Sequence, residues 1–285
     1  MSGRYESGGA QLSYLDSGAG LPVVFLHPTP LDHDYWRPLL EELRSRPDVI
    51  PVRAIVPDLR GHGASELGGS LPAGAFERVP DAPVLGMEQL AADILLLLDR
   101  LGLVDAVFVG CSIGGYVMLE LWRHASQRMR GLAFICSKPQ PDAEAALIKR
   151  AANIAIARES GVSALFDGMA NLLVGESSRR RRPEVVSECR ARMTITPSAF
   201  VAVQAGLATR PDSIPTVATI ESPVLAIAGG EDTAIAPADM EAFRSAYGGC
   251  EFSLIPDAGH FAAYEQPERV ADLVEPWLRQ FASPD

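Results

Sequence analysis

Short, unbroken apolar runs alternate along this chain with longer stretches whose apolar residues recur every third or fourth position. Val23-Val24-Phe25-Leu26, Ala106-Val107-Phe108-Val109 and Val224-Leu225-Ala226-Ile227 are bounded by glycine, proline or polar turns and are too short for helices. Being apolar on both sides, they predict strands covered on both faces of a parallel sheet. Residues 54–56, 132–135 and 252–255 predict three more. Between these runs, residues 89–101 carry Leu90, Ile94, Leu97, Leu98 and Leu101 at helical spacing. Residues 239–247 and 267–281 repeat the pattern, the latter opening on Pro267, whose missing N–H is harmless in a first turn. Strand and helix in alternation predict an α/β fold, a mostly parallel sheet with helices on both faces.

The alternation breaks between residues 139 and 223. Helical patterns fill 143–159, 162–173, 184–193 and 198–207 there, with no convincing strand. This predicts a helical cap over residues 139–223, inserted into a core made of residues 1–138 and 224–285. Residues 68–86 are a second departure, a Gly- and Pro-containing stretch between a strand and the next helix. Connections in α/β units usually run about 2–6 residues, so a loop of this length is either functional or mobile.

Composition narrows the class. A chain of 285 residues, 47% apolar, can bury one full core plus a modest insertion. A net charge of −11 argues against a surface that tracks phosphates, so no nucleic-acid partner is expected. The run Arg179-Arg180-Arg181-Arg182, just before Pro183, reads as a solvated helix start or loop; the competing reading is a site for an anionic substrate or partner. Lys138 and Lys149 are the only lysines, and the bias toward arginine is read as base composition, with no function drawn from it. The four cysteines (Cys111, Cys136, Cys189, Cys250) show no metal or CxxC spacing and predict free thiols in a reducing compartment. The opening MSGRYESGGA lacks the basic and apolar regions of a signal peptide, and no apolar stretch reaches membrane-spanning length. A soluble cytoplasmic protein, monomer or homodimer, with no membrane partner is the expectation.

Candidate chemistry begins at Gly110-Cys111-Ser112-Ile113-Gly114-Gly115, which follows a predicted strand and opens a helical pattern. This is G-x-S-x-G in the strand-to-helix context that exposes a nucleophilic serine. A helix N-terminus there points its dipole at a developing oxyanion, and the Ile113 amide can donate to it. A serine needs a base. Of five histidines, His260 sits in a loop after a late strand, where a parallel sheet presents residues to a site. His27 and His62 are expected to shape loops, His124 to lie in a helix, and His33 to reach the pocket. The acid that supports His260 is Asp232 or its neighbour Glu231, both after the strand at 224–227. The second oxyanion donor belongs to the loop after the first core strand. In His27-Pro28-Thr29-Pro30-Leu31 the prolines have no N–H, which leaves Thr29, whose hydroxyl offers a second contact.

Together these stretches, with Asp58-Leu59-Arg60-Gly61-His62-Gly63-Ala64-Ser65, resemble the α/β-hydrolase superfamily, and within it 3-oxoadipate enol-lactonases and small bacterial esterases. The resemblance implies an α/β-hydrolase fold and selects Asp232 over Glu231, completing the order Ser112, Asp232, His260. Two departures stand out: Pro28 where glycine is usual, and the length of residues 68–86. Serine at the elbow argues against dehalogenase and epoxide hydrolase chemistry.

The expected function is cleavage of a small ester or lactone through an acyl-enzyme, with Phe261 at the pocket and Leu165, Phe166, Met169, Leu172 and Leu173 of the cap either as its apolar walls or, equally, as packing of cap on core. The alternative is a non-hydrolytic biosynthetic enzyme of specialised metabolism (acyl-elimination lyase, cyclase or acyltransferase) using the same site. A haloperoxidase-like perhydrolysis and a binding protein with a vestigial site are further readings. No metal, nucleotide or flavin cofactor is implied.

Overall fold

The computed structural model describes residues 2–46 and 50–282. Its strands are β1 (Ser2–Ser7), β2 (Ala10–Ser17), β3 (Leu21–Leu26), β4 (Val52–Pro57), β5 (Ala106–Cys111), β6 (Met129–Ile135), β7 (Val224–Gly229) and β8 (Cys250–Ile255). They form one sheet in the order β1-β2-β4-β3-β5-β6-β7-β8. From β4 to β8 every pairing is parallel, while β2 runs antiparallel to both β1 and β4.

The six strands read from apolar runs are all present, and β3, β5 and β7 are buried along almost their whole length. The β1–β2 hairpin lies outside the apolar runs. Its strands mix exposed, half-buried and buried residues, so no continuous apolar run marks them. The signal was the turn: Gly8 and Gly9 both take positive φ (51° and 77°), the geometry a two-residue hairpin loop demands.

Helices α1 (Arg37–Ser45), α2 (Met87–Arg100) and α3 (Ile113–Ala125) precede β6. The connection β3-α1-β4 runs toward one edge of the sheet, and β4-α2-β5 returns past β3 toward the other. Right-handed crossovers in opposite directions put their helices on opposite faces. The strand order therefore reverses between β3 and β5, which pair directly with Leu26 opposite Gly110. A crevice opens above their carboxyl ends, the usual ligand position in such sheets.

Between β6 and β7 lie α4 (Glu144–Ser160), α5 (Ser163–Leu173), α6 (Glu176–Arg181), α7 (Glu184–Ala191), α8 (Pro197–Ala208) and α9 (Ile214–Val217). The arginine run ends α6 instead of starting a helix, where its charge suits the negative end of the helix dipole. It is also engaged: Arg179 donates to the Asn171 carbonyl, Arg181 pairs with Asp257, and Arg182 donates to the Glu265 carbonyl. After β7 come α10 (Pro237–Met240), a 3-10 turn over Glu241–Ser245, α11 (Ala262–Glu265) and α12 (Pro267–Arg279), so the single helix expected at 239–247 is two short pieces.

Residues 68–86 hold no helix or strand, yet they are packed. Phe76, Ala82 and Leu85 are buried, and the Leu85 amide donates to the Ala202 carbonyl in α8. Arg78 pairs with Glu144, and Asp81 with Arg158, both in α4. The long loop is a strap under the inserted helices. No helix among the described residues is long and apolar enough to cross a membrane.

Candidate active site

Ser112 stands at the turn from β5 into α3 with φ 52° and ψ −115°, a backbone region that L-residues rarely occupy. Its surroundings enforce the bend. The Ser112 carbonyl accepts from the Ser137 hydroxyl (2.9 Å) and from the Gly115 amide, and its N–H donates to the Ile135 carbonyl of β6. A Cβ on Gly114 would lie 2.2 Å from the Leu26 carbonyl oxygen, so only glycine lets α3 start this close to β3.

His260 is reached from β8. Its Nδ1 lies 2.8 Å from Asp232 Oδ2, with both side chains almost wholly buried. The other carboxylate oxygen, Oδ1, accepts the amides of Ala234 and Ile235. An ionised carboxylate only accepts, so Nδ1 carries the proton and Nε2 is left with its lone pair. No hydrogen bond joins Ser112 Oγ to His260 here; in hydrolytic triads such bonds commonly tighten only in the substrate complex. Glu231 is engaged elsewhere. Its carboxylate accepts the Ser177 amide and hydroxyl, both at 2.7 Å, and ties α6 to the acid loop.

The loop after β3 sits beside the elbow. His62 Nδ1 faces the Arg60 carbonyl at 3.1 Å and must donate, so Nε2 accepts from the Thr29 hydroxyl at 2.9 Å. Burial pushes the His62 pKa down to about 3, which keeps the ring neutral. The Thr29 hydroxyl is thus spent, and the second contact expected from it does not arise. Its amide, like that of Ile113, has no partner among the described residues. The Thr29–Pro30 bond is cis. His27 is locked likewise, donating from Nδ1 to the Pro28 carbonyl and accepting the Leu59 amide at Nε2.

Thr29, Ser112 and His260 line one cavity of about 380 Å³, roofed by residues of α4, α5 and α8. Among the described residues, no three His, Cys, Asp or Glu side chains gather as metal ligands would. The sequence pattern of the alpha/beta hydrolase family matches residues 23–273. The chain belongs to the α/β-hydrolase family. A thermophilic esterase from Thermogutta terrifontis, solved with malate bound, is 32% identical and superposes with a TM-score of 0.86, covering 99% of this chain and 100% of that one. The 3-oxoadipate enol-lactonase 1 of Acinetobacter baylyi is 23% identical over 257 residues, 90% of this chain and 88% of the lactonase. A non-heme haloperoxidase of Rhodococcus erythropolis is 34% identical over 134 residues, 47% and 43% of the two chains.

The cavity of this α/β-hydrolase differs from the apolar pocket expected. Met169, Leu172 and Leu173 line it, whereas Leu165 and Phe166 do not. Phe166 turns into the inserted helices, edge-on to Phe200 at 5.5 Å and beneath the Arg190 guanidinium, because an apolar ring gains more from that packing than from a wet cavity. Phe261 is buried behind His260 against Tyr35. His33 is also outside the cavity, held by Asp58 at 2.7 Å, and that hydrogen bond raises its pKa. In their place stand polar residues that no apolar pattern marks: Tyr116, Asp142, Lys149, Arg150, Asn153 and Gln204.

Glu265 is the residue sequence reasoning missed. Fully buried, it accepts the Gly259 and Gly175 amides at Oε2 and the Phe261 amide at Oε1, clamping both sides of His260 to the α5–α6 connection. The His260 amide itself donates to the Leu173 carbonyl. Gly175 and Gly259 meet back to back, a Cβ on Gly259 lying 2.3 Å from the Gly175 nitrogen. Glu265→Gln puts an NH2 group against a buried amide donor, and a loss of roughly 2 kcal/mol is expected, read by urea unfolding. Turnover is expected to fall through kcat more than KM, since the clamp sets where His260 stands.

Proposed function

We propose that this α/β-hydrolase cleaves a small-molecule ester or lactone through an acyl-enzyme, with Ser112, His260 and Asp232 as its catalytic triad. One observation carries the reading. The Thr29 and Ile113 amides are left without partners next to a serine held in a strained turn, and Thr29 and Ser112 share a cavity with a histidine backed by a buried carboxylate. Unpaired buried amides are costly unless a ligand uses them, and an oxyanion formed at Ser112 is the ligand that suits free N–H groups on either side of it.

In this mechanism Ser112 Oγ attacks the carbonyl carbon as its proton passes to His260 Nε2. Asp232 supports the imidazolium that results. The carbonyl oxygen, now an oxyanion, takes hydrogen bonds from Thr29 and Ile113. Collapse breaks the bond to the leaving alcohol, which receives the proton from His260. Water then enters, gives a proton to His260, and releases the acid. The inserted helices act as a cap that limits the substrate to a small molecule, in keeping with a cavity of about 380 Å³. The similarity to an esterase and an enol-lactonase supports this chemistry. The similarity to a haloperoxidase favours a second use of the same acyl-enzyme, in which hydrogen peroxide replaces water.

Turnover of short-chain esters and lactones in ¹⁸O-water tests the reading. One ¹⁸O atom per turnover is expected in the carboxylate product. A product that is an alkene, or that carries no label, would exclude hydrolysis.

A further inference from the structure

Resting on the hydrolase reading above, we infer that the natural ester or lactone carries a carboxylate, met by Lys149 and Arg150 on the cavity wall. The whole chain has a net charge of −11 and only two lysines, yet both lysines line this one cavity. Ala145, Ala146, Lys149, Arg150 and Asn153 fall on one face of α4, and that face looks into the site. The two alanines leave room in front of the cations.

The charges there are unevenly matched. Asp142 is shared between two guanidiniums, Arg150 and Arg210, leaving one positive charge of that trio uncompensated. Both arginines hold its carboxyl below the usual carboxylate range against the upward push of burial. Lys138 is balanced by Asp239 at 3.2 Å. Lys149 has no acidic partner among the described residues. Gln204, buried on α8, accepts from Arg150 Nη1 at 3.1 Å and fixes that guanidinium at the wall. Opposite charge lies in Asp232, behind His260 and with its oxygens already hydrogen-bonded. A cleft of one sign within a protein of the other concentrates ligands of the second sign, so an acidic substrate is drawn in and oriented.

The test compares mono-p-nitrophenyl glutarate with p-nitrophenyl valerate, esters of equal acyl length differing in a terminal carboxylate, in the wild type and in Lys149→Glu. Lys149 is exposed, so this substitution leaves the fold in place. The wild type is expected to favour the glutarate ester by about tenfold in kcat/KM, and Lys149→Glu to erase or invert that ratio, mainly through KM. Equal use of both esters by the wild type, or an unchanged ratio in Lys149→Glu, would overturn the inference while leaving the hydrolase reading intact. A second measurement needs no turnover: calorimetric binding of glutarate to Ser112→Ala, with and without Lys149→Glu. Lysine-dependent binding without ester cleavage would uphold the anion site and sink the hydrolase reading. No binding together with no charge preference would sink the anion site.

Discussion

Replacing Asp232 by asparagine is expected to slow acylation of Ser112 about 10⁴-fold with the fold preserved. The reason lies in what surrounds the carboxylate. The Ala234 and Ile235 amides both donate to Oδ1, so an asparagine there must turn its carbonyl oxygen toward them. Its NH2 group then faces His260 Nδ1, now 2.8 Å from Oδ2. That nitrogen becomes an acceptor, the ring proton moves to Nε2, and the base that faces the cavity is gone. Stopped-flow release of p-nitrophenol from a short acetate ester measures the step directly. A loss below about tenfold would mean that Asp232 only shapes its loop.

The second large effect concerns stability. Arg60 and Asp93 form a two-pronged pair at 2.6 and 2.8 Å, with side chains only 3% exposed. The same carboxylate accepts the Ser7 hydroxyl, the Asp93 carbonyl accepts the Tyr5 hydroxyl, and Arg60 donates to the Ser7 carbonyl. One ion pair therefore joins the β1–β2 hairpin, α2 and the loop after β4 that carries His62. Asp93→Ala leaves a buried guanidinium unpaired and is expected to lower stability by about 3–5 kcal/mol, read by urea unfolding at neutral pH. The exposed pair Arg244–Glu241 is the control, with an expected loss within about 1 kcal/mol. An Asp93→Ala loss as small as the control would show that the pair is solvated. Because His62 fixes Thr29, slower turnover should accompany the loss.

Much of this architecture was legible because it is local. A buried strand needs an apolar run and an elbow needs small residues around a serine, and both are written within a few positions at 106–115. The unpaired amide at Thr29 was legible by the same logic, since its neighbours on both sides are prolines. The cavity wall was not. Helical periodicity identifies the face that seeks the core, and Phe166 obeys it by packing inside the insertion; the face of α4 on the Ser112 cavity mixes Lys149, Arg150 and Asn153 with two alanines and follows no hydrophobic rule. Glu265 was hidden for a related reason. Its three amide partners come from residues 175, 259 and 261, and only the folded chain brings the first beside the others. The β1–β2 hairpin differs, because Gly8-Gly9 did mark it while its half-exposed strands did not.

Whether Ser112 is an activated nucleophile is read by intact-mass measurement after exposure to a fluorophosphonate probe, followed by peptide mapping. A single adduct on Ser112 is expected, lost in Ser112→Ala and formed far more slowly in His260→Ala. No adduct in the wild type, or one that persists in Ser112→Ala, would contradict it.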